Sequence, residues 1–162
     1  MSQTPSPRSP RASATQMTEL VLPQHSNVLG TAFGGTVLAW MDVAAAIAAQ
    51  RHCGRVAVTA AMDDVTFLGP IRLGDVVVIS ARVNAAFGSS LEVEVEVQRE
   101  DPLSGSRALC VDAFMTFVAV DEDRNPTRVP PLLAENADDE RRAREAGNRR
   151  KRRLARRSGD ES

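Results

Sequence analysis

A long apolar stretch with a single charge constrains the fold more than any other part of the chain. Between Thr31 and Gln50 only Asp42 is ionisable, and the stretch is rich in alanine. A helix that is apolar on all sides is normally buried. A lone buried carboxylate is costly unless it is hydrogen-bonded, paired or close to water. The stretch therefore predicts a buried helix over residues 33–52, ending at Gly54, in which Asp42 has a specific partner or task.

A membrane-spanning helix is the alternative interpretation of this stretch. Two glycines open it, and Asp42 near its middle opposes insertion by about 2.5–3.5 kcal/mol. We therefore favour a buried core helix and expect no signal peptide or transmembrane segment. The two cysteines, Cys53 and Cys110, have no metal-binding spacing, so we expect reduced, buried thiols and a cytoplasmic protein.

Composition divides the chain into three zones. Residues 1–15 are rich in Ser, Pro and Arg and are predicted to be disordered. Residues 16–131 carry all the strong periodic patterns and are expected to form one domain. Residues 132–162 form a charged tail, in which residues 141–157 include ten basic side chains and one acidic side chain.

The middle zone is predicted to contain one strand, the helix and then four more strands. Alternation is strictest from Leu91 to Val97, where the apolar residues would face the core and the acids the water. The last strand is apolar on both faces, so it should lie inside the sheet. The predicted strands cover residues 16–22, 55–67, 75–86, 91–97 and 107–120. This order predicts an α+β fold with an antiparallel sheet of about five strands wrapped around one buried helix, and at least a dimer to cover the sheet edge.

Several spaced motifs resemble the hotdog-fold acyl-CoA thioesterases, in the branch that contains bacterial YciA and brain acyl-CoA hydrolase. The first is Asn27-x-x-Gly30-x-x-Phe33-Gly34-Gly35, followed by Asp42. The others, in the same order, are Val58-Thr59, Asp64–Asp75, Ser89-Ser90, Phe114–Asp121 and Val129-Pro130. The resemblance covers roughly residues 17–131. It implies hydrolysis of acyl-CoA to a free acid and CoA, without a metal or organic cofactor, by homodimers that often assemble into trimers of dimers.

The physical chemistry of the first motif agrees with that activity. Gly34 and Gly35 stand where the helix begins, so unpaired N–H groups and the helix dipole favour a developing oxyanion there. The alternative is that these glycines only permit a tight loop. Asp42 lies about two turns further on and could act as general base or as nucleophile. The resemblance implies that Asn27 assists from the partner subunit; otherwise Asn27 is a turn residue and Asp42 a carboxylate satisfied by nearby donors.

Weaker candidates surround this set. By the resemblance, Thr59 would face the site and Ser89 and Ser90 would contact the nucleotide of the substrate. His25 could line the pocket mouth, but we favour an exposed loop histidine. His52 is interpreted as structural, because a cation at a helix C-terminus interacts well with the dipole. The chain has no Gly-x-Ser-x-Gly elbow, P-loop or zinc-hydrolase motif.

The basic tail leaves three interpretations open: a solvated helix, a contact with nucleic acid or a membrane surface, and a mobile arm near the CoA phosphates. No aromatic residue is interleaved with the arginines, so stacking on bases is not supported and nucleic acid is not an expected partner. Two rival functions remain. One is a non-catalytic acyl-CoA sensor with a tail that contacts nucleic acid. The other is a hotdog dehydratase or hydratase, for which we would expect a histidine at the site.

Overall fold

One five-stranded antiparallel sheet packs against a long helix, as predicted. The computed structural model describes residues 5–159. The elements are α1 (Pro10–Ser13), β1 (Thr15–Leu20), α2 (Gly34–Cys53), β2 (Ala57–Phe67), β3 (Val76–Phe87), β4 (Ser90–Glu100), β5 (Arg107–Ala119) and α3 (Ala137–Gly159). The strand order is β1-β3-β4-β5-β2, so β5 is an interior strand, as its apolar sequence predicts.

The sheet curls around α2. A helix is about 10 Å across, whereas five strands span about 19 Å, so a flat sheet could not touch the helix along its whole width. Nevertheless α2 contacts all five strands. Alanine makes this close approach possible, because the buried face of α2 includes Ala44, Ala45, Ala48 and Ala49. The helix ends at Gly54, which adopts the left-handed conformation with φ 65°.

No described helix is both long enough and apolar enough to cross a membrane. The two cysteines are buried and free, as predicted.

The prediction that the acids of β4 face water is wrong. Glu92 on β4 is only 3% exposed. The α3 helix lies over this outer face of the sheet, and Arg149 donates to Glu92 through Nε (3.0 Å) and Nη2 (2.7 Å). The Arg149 guanidinium also lies 3.6 Å from the ring centroid of Phe114. Alternation along β4 therefore reflects two covered faces, one apolar and one charged.

The basic segment belongs to this covering helix. Asn136 caps α3, because its Oδ1 accepts the Asp139 N–H at 2.9 Å. Acidic residues occupy the first turn and arginines the last, which suits the helix dipole. Arg142 pairs with Glu94, and Arg82 of β3 pairs with the buried Asp139. Ion pairs between α3 and the sheet thus hold the basic segment against the outer face of the sheet, whereas its composition alone does not predict a fixed position.

The N-terminal segment also differs from its prediction of disorder, within the residues described; residues 1–4 lie outside them. The backbone of Arg8 pairs with the segment after β5: its N–H donates to Pro131 O (2.9 Å), and its carbonyl accepts from Leu133 N (2.8 Å). The Arg8 guanidinium donates to Arg51 O at 2.8 Å. Pro10 and Ser13 of α1 are buried. These long-range contacts offset the ordering entropy of a segment that has few apolar residues.

His52 has a structural role, as predicted, but its expected positive charge at the end of α2 is not favoured by its surroundings. Its Nε2 donates to Pro130 O at 2.8 Å, and its Nδ1 is buried with no partner among the described residues. Burial lowers the pKa of His52, and the nearby Arg8 charge lowers it further. The ring therefore holds the chain after β5 against the end of α2 in its neutral form.

Replacing Arg149 by alanine should lower the free energy of unfolding by about 3 kcal/mol or more, because the Glu92 charge would stay buried without its partner. Urea unfolding measures this change. Replacing Arg156, which is exposed at the end of the same helix, should change it by no more than about 0.5 kcal/mol. Equal small effects would mean that α3 does not bury this pair.

Stability should fall with acidification through the ordinary histidine pKa of about 6.5. The folded pKa of His52 is lowered, so below that pH the unfolded chain binds a proton that the folded chain excludes. His52→Gln keeps a donor for Pro130 and cannot titrate, so it should remove part of this loss. Thermal unfolding of both proteins between pH 7.5 and 5 measures the difference, and parallel curves would contradict the prediction.

Candidate active site

Asn27 organises the loop that leads into α2. Its Oδ1 accepts the N–H of Leu29 (2.9 Å) and of Thr31 (3.2 Å), and its Nδ2 donates to Thr31 Oγ1 (2.9 Å). The loop presents apolar side chains to solvent, since Val28 is 102% and Leu29 82% exposed. Asn27 is therefore a turn residue within its own chain, on a loop whose tip is suited to contact another molecule.

Gly34 and Gly35 form the first residues of α2, as predicted. The first hydrogen bond at this end joins Val37 N to Phe33 O (3.2 Å), so the glycine N–H groups precede the helical ladder. Neither glycine has a positive φ. A Cβ on Gly34 would lie in ordinary contact with Phe67 Cζ at 3.6 Å, and one on Gly35 would meet nothing within 4 Å. The described fold has room for side chains here, so it does not support the interpretation that a tight loop requires both glycines.

Asp42 lies on a partly exposed side of α2 and faces β2. Thr59 Oγ1 donates to Asp42 Oδ1 at 2.6 Å. The hydroxyl is neutral, so this contact orients the carboxylate without neutralising its charge. The structure thus brings Asp42 together with Thr59, one of the weaker sequence candidates.

Phe67 is a residue at the site that sequence reasoning missed. It ends β2, and its ring covers Gly34. The two residues line a cavity of about 120 Å³, together with Thr31, Val37 and Ile71. Small-molecule sites commonly enclose about 300–1,000 Å³, so this cavity by itself is smaller than such a site. The sequence signal that could have pointed to Phe67 is its position just before Gly69-Pro70, inside the motif Asp64–Asp75.

Apolar side chains remain exposed around this partial site. Val43 follows Asp42, Val58 precedes Thr59, and each is about half exposed. Val43 belongs to α2, and Val58 belongs to β2, which is an edge strand. An apolar surface next to a free strand edge suits association with another chain.

The remaining candidates lie apart from this group. Ser89 lies in the turn between β3 and β4, and Ser90 is the first residue of β4. Ser89 O accepts from Ala119 N (2.9 Å), and Ser90 Oγ donates to Phe87 O (3.3 Å). Neither has a described contact with Asp42 or with the glycine pair. His25 is half-buried: its Nδ1 accepts the Leu22 N–H, and its ring packs edge-on against Trp40.

Comparison with known proteins identifies the family. Residues 29–106 match the Thioesterase superfamily. YkhA of Bacillus subtilis, named an uncharacterized acyl-CoA thioester hydrolase, is 39% identical over 137 residues, which cover 85% of this chain and 80% of YkhA. This chain belongs to the thioesterase superfamily.

Longer relatives match over part of their length. Mouse acyl-coenzyme A thioesterase 11 is 43% identical over 140 residues, or 85% of this chain. The chain spans only about a quarter of that protein (23%) and of rat acetyl-coenzyme A thioesterase (25%).

Two solved structures share the whole architecture. An acyl-CoA hydrolase from Staphylococcus aureus, in complex with butyryl coenzyme A, coenzyme A and coenzyme A disulfide, has a TM-score of 0.88 at 36% identity, covering 95% of this chain and 94% of that one. An apo hexameric acyl-CoA thioesterase has a TM-score of 0.89 at 36% identity, covering 93% and 97%. The predicted hotdog fold and the resemblance to acyl-CoA thioesterases are confirmed.

Gly35→Ala should leave the melting temperature unchanged or raise it. Its Cβ would meet nothing within 4 Å, and alanine is the better helix former by up to about 1 kcal/mol. Gly54→Ala is the matched contrast, because its φ of 65° strains any side chain and should lower stability. Thermal unfolding measures both. A marked destabilisation by Gly35→Ala would show that the assembled fold itself requires this glycine.

Proposed function

We propose that the protein hydrolyses acyl-CoA thioesters to a free acid and CoA. The observation that carries the proposal is the position of Asp42. It accepts a hydrogen bond from Thr59 and lies about two helical turns from the start of α2. The two residues at that start are glycines, although the described fold has room for a side chain at both positions. Hydrolase names among the relatives support the same chemistry. A glycine at the start of a helix is a poorer helix former than alanine, so its use here suits close approach of a ligand.

The N–H groups of Gly34 and Gly35 would receive the thioester carbonyl. As a nucleophile adds to the carbonyl carbon, negative charge develops on the oxygen, and donors aimed at that oxygen are worth about 10²–10³ in rate. The helix dipole adds to this stabilisation. The missing side chains let the carbonyl reach the backbone.

Asp42 would supply or activate the nucleophile. As general base it takes a proton from water while the hydroxyl adds to the carbonyl carbon; the C–S bond then breaks and CoA leaves as the thiol after receiving a proton. As nucleophile it adds to the carbonyl carbon and expels CoA as the thiolate, which takes up a proton; water then hydrolyses the resulting mixed anhydride to the free acid and restores the Asp42 carboxylate. Thr59 occupies one carboxylate oxygen in either route, which leaves the other free to act.

Asn27 would assist Asp42 from the partner subunit. Its loop has an exposed apolar tip, as a contact with a second chain requires. The S. aureus hydrolase has been studied with one asparagine, one aspartate and one threonine each replaced by alanine. Those positions are separated by 15 and 17 residues, the same intervals as between Asn27, Asp42 and Thr59. The match supports these three residues as one functional set.

The protein would work as a homodimer or a trimer of dimers. The cavity at Gly34 and Phe67 is too small for an acyl-CoA, and the surface beside Asp42 and Thr59 is apolar and exposed. Three of the similar solved structures are described as hexameric thioesterases. Ser89 and Ser90 would contact the nucleotide of the substrate.

Release of free CoA thiol from acyl-CoAs of increasing chain length tests the activity. Asp42→Asn should lower kcat by about 10²–10⁴, because the amide can neither accept the proton nor attack. Asp123→Asn, in an exposed turn, is the control and should retain the parental rate. Binding of acyl-CoA without turnover by the parent protein would favour the sensor. Full activity in Asp42→Asn would reject this mechanism.

Mixed subunits test the shared site. Asn27→Ala and Asp42→Asn should each be nearly inactive alone. In a mixed dimer one site keeps both native residues, so random pairing should restore about a quarter of the parental activity. Co-expression of the two variants followed by the same thiol assay measures this. No recovery in confirmed mixed dimers would place Asn27 and Asp42 in the same chain's site or in separate roles.

A further inference from the structure

Strand β2 contains an extra residue at Asp64. Its register with β5 pairs Asp63 with Phe114 and Thr66 with Asp112, so β2 has one more residue than β5 between these pairs. Asp64 has φ 51°, a left-handed conformation that is unfavourable for a residue other than glycine. The strand therefore has a β-bulge at this point.

The bulge reverses which side chains of β2 face α2. Side chains alternate along a regular strand, so Met62 and Val65 would lie on opposite faces. Both instead pack against the core. If β2 alternated regularly through residues 63–67, Phe67 would share the outer face with Asp63. Because of the bulge, the Phe67 ring instead covers Gly34 at the start of α2.

The end of α3 holds the bulge from the outer face. Arg153 Nη1 donates to Asp63 Oδ2 at 3.0 Å, and the two side chains are only 17% and 19% exposed. Arg152 lies 3.8 Å from Asp64, but that pair is exposed and contributes little. The Arg153 contact therefore carries the connection between the basic segment 141–157 and the bulge.

We infer that Arg153 is a positioning residue: through Asp63 it fixes the β2 bulge that turns Phe67 onto the glycine pair. The inference rests on the proposed function. Strained backbone persists where its surroundings over-determine it, and bulges beside active sites re-aim side chains. Phe67 would hold the thioester against the Gly34 and Gly35 N–H groups, and small displacements of a reacting group cost much rate.

This role assigns a task to the basic segment in the thioesterase reaction itself. The task requires no contact between the arginines and the substrate. Removing the Arg153 contact should therefore lower kcat and leave KM nearly unchanged, because the alignment of the reacting carbonyl changes while the CoA-binding surface does not.

The test uses the full-length oligomer. Arg153→Ala should lower kcat about 10-fold with KM nearly unchanged, and Arg153→Lys, which keeps one charged donor, should recover most of the rate. Arg149→Ala is the matched control on the same helix. It removes a more deeply buried pair, with Glu92 on β4, and its contact with Phe114 reaches the β5 partner of Asp63, but its ion pair is with Glu92 and not with Asp63 or Asp64. It should therefore lower the melting temperature more and kcat less.

A double variant tests whether Arg153 acts through Phe67. Phe67→Ala should lower kcat by a similar factor, and adding Arg153→Ala should lower it no further. The inference is overturned if Arg153→Ala keeps the parental kcat, if the two effects multiply, or if Arg149→Ala lowers kcat equally.

Hydrogen exchange of the amides in residues 62–68 gives a readout that needs no substrate. Arg153→Ala should speed exchange in this segment selectively, whereas Arg149→Ala should not speed it beyond the increase that its lower global stability causes across the whole sheet. Unchanged exchange in Arg153→Ala would overturn the inference whatever the activity. A parent protein that cleaves no acyl-CoA, but shows the expected exchange, would reject the proposed function and retain the structural coupling without its catalytic role.

Discussion

Close packing of an alanine-rich helix inside one curled sheet is the constraint on which the rest of the structure depends. Four alanines on the buried face of α2 let the backbone approach the strands, and all five strands contact the helix. This packing places the start of α2 beside the end of β2, where Gly34 meets Phe67, and its middle beside Thr59, where Asp42 finds its donor. The geometry of the site is therefore a consequence of burying this helix.

Charge organises the other face of the sheet. A curled sheet with a single central helix leaves its outer face to be covered, and α3 covers part of it through ion pairs rather than an apolar stripe. Glu92 and Arg149 are both largely buried, and each would be costly alone. Such pairs hold a helix in one register, because a shifted helix would leave charges unpaired. This specificity lets the end of α3 meet the β2 bulge at a defined point.

The candidate site is open in a single chain. The cavity at Gly34 is small, the loop after Asn27 presents apolar side chains to solvent, and β2 is a free edge. Each feature is unfavourable in isolation and becomes favourable when a second chain covers it. A site assembled from two subunits would explain why Asn27 forms a turn in its own chain while its loop tip points away from the core.

Local pattern was enough to predict α2 and the five strands of this fold. The helix and the five strands agree with their predicted ranges to within about three residues, since periodicity and the stop at Gly54 are properties of neighbouring residues. The roles of Asp42, Gly34 and Gly35 were proposed from one motif for the same reason. Partners distant in sequence were not predictable. The pairing of Glu92 with Arg149 joins residues 57 positions apart, and alternation alone assigned that acid to water.

The sequence by itself thus determined which segments form α2 and the five strands, and it is the source of the proposal that Asp42, Gly34 and Gly35 carry the chemistry. Only the tertiary structure decided what covers the charged face of β4, where the basic segment lies, and that Phe67 faces the glycine pair. The physical reason is that these outcomes depend on register. One extra residue at Asp64 reverses the faces of a strand, and a charge is satisfied only by the partner that the fold brings within reach.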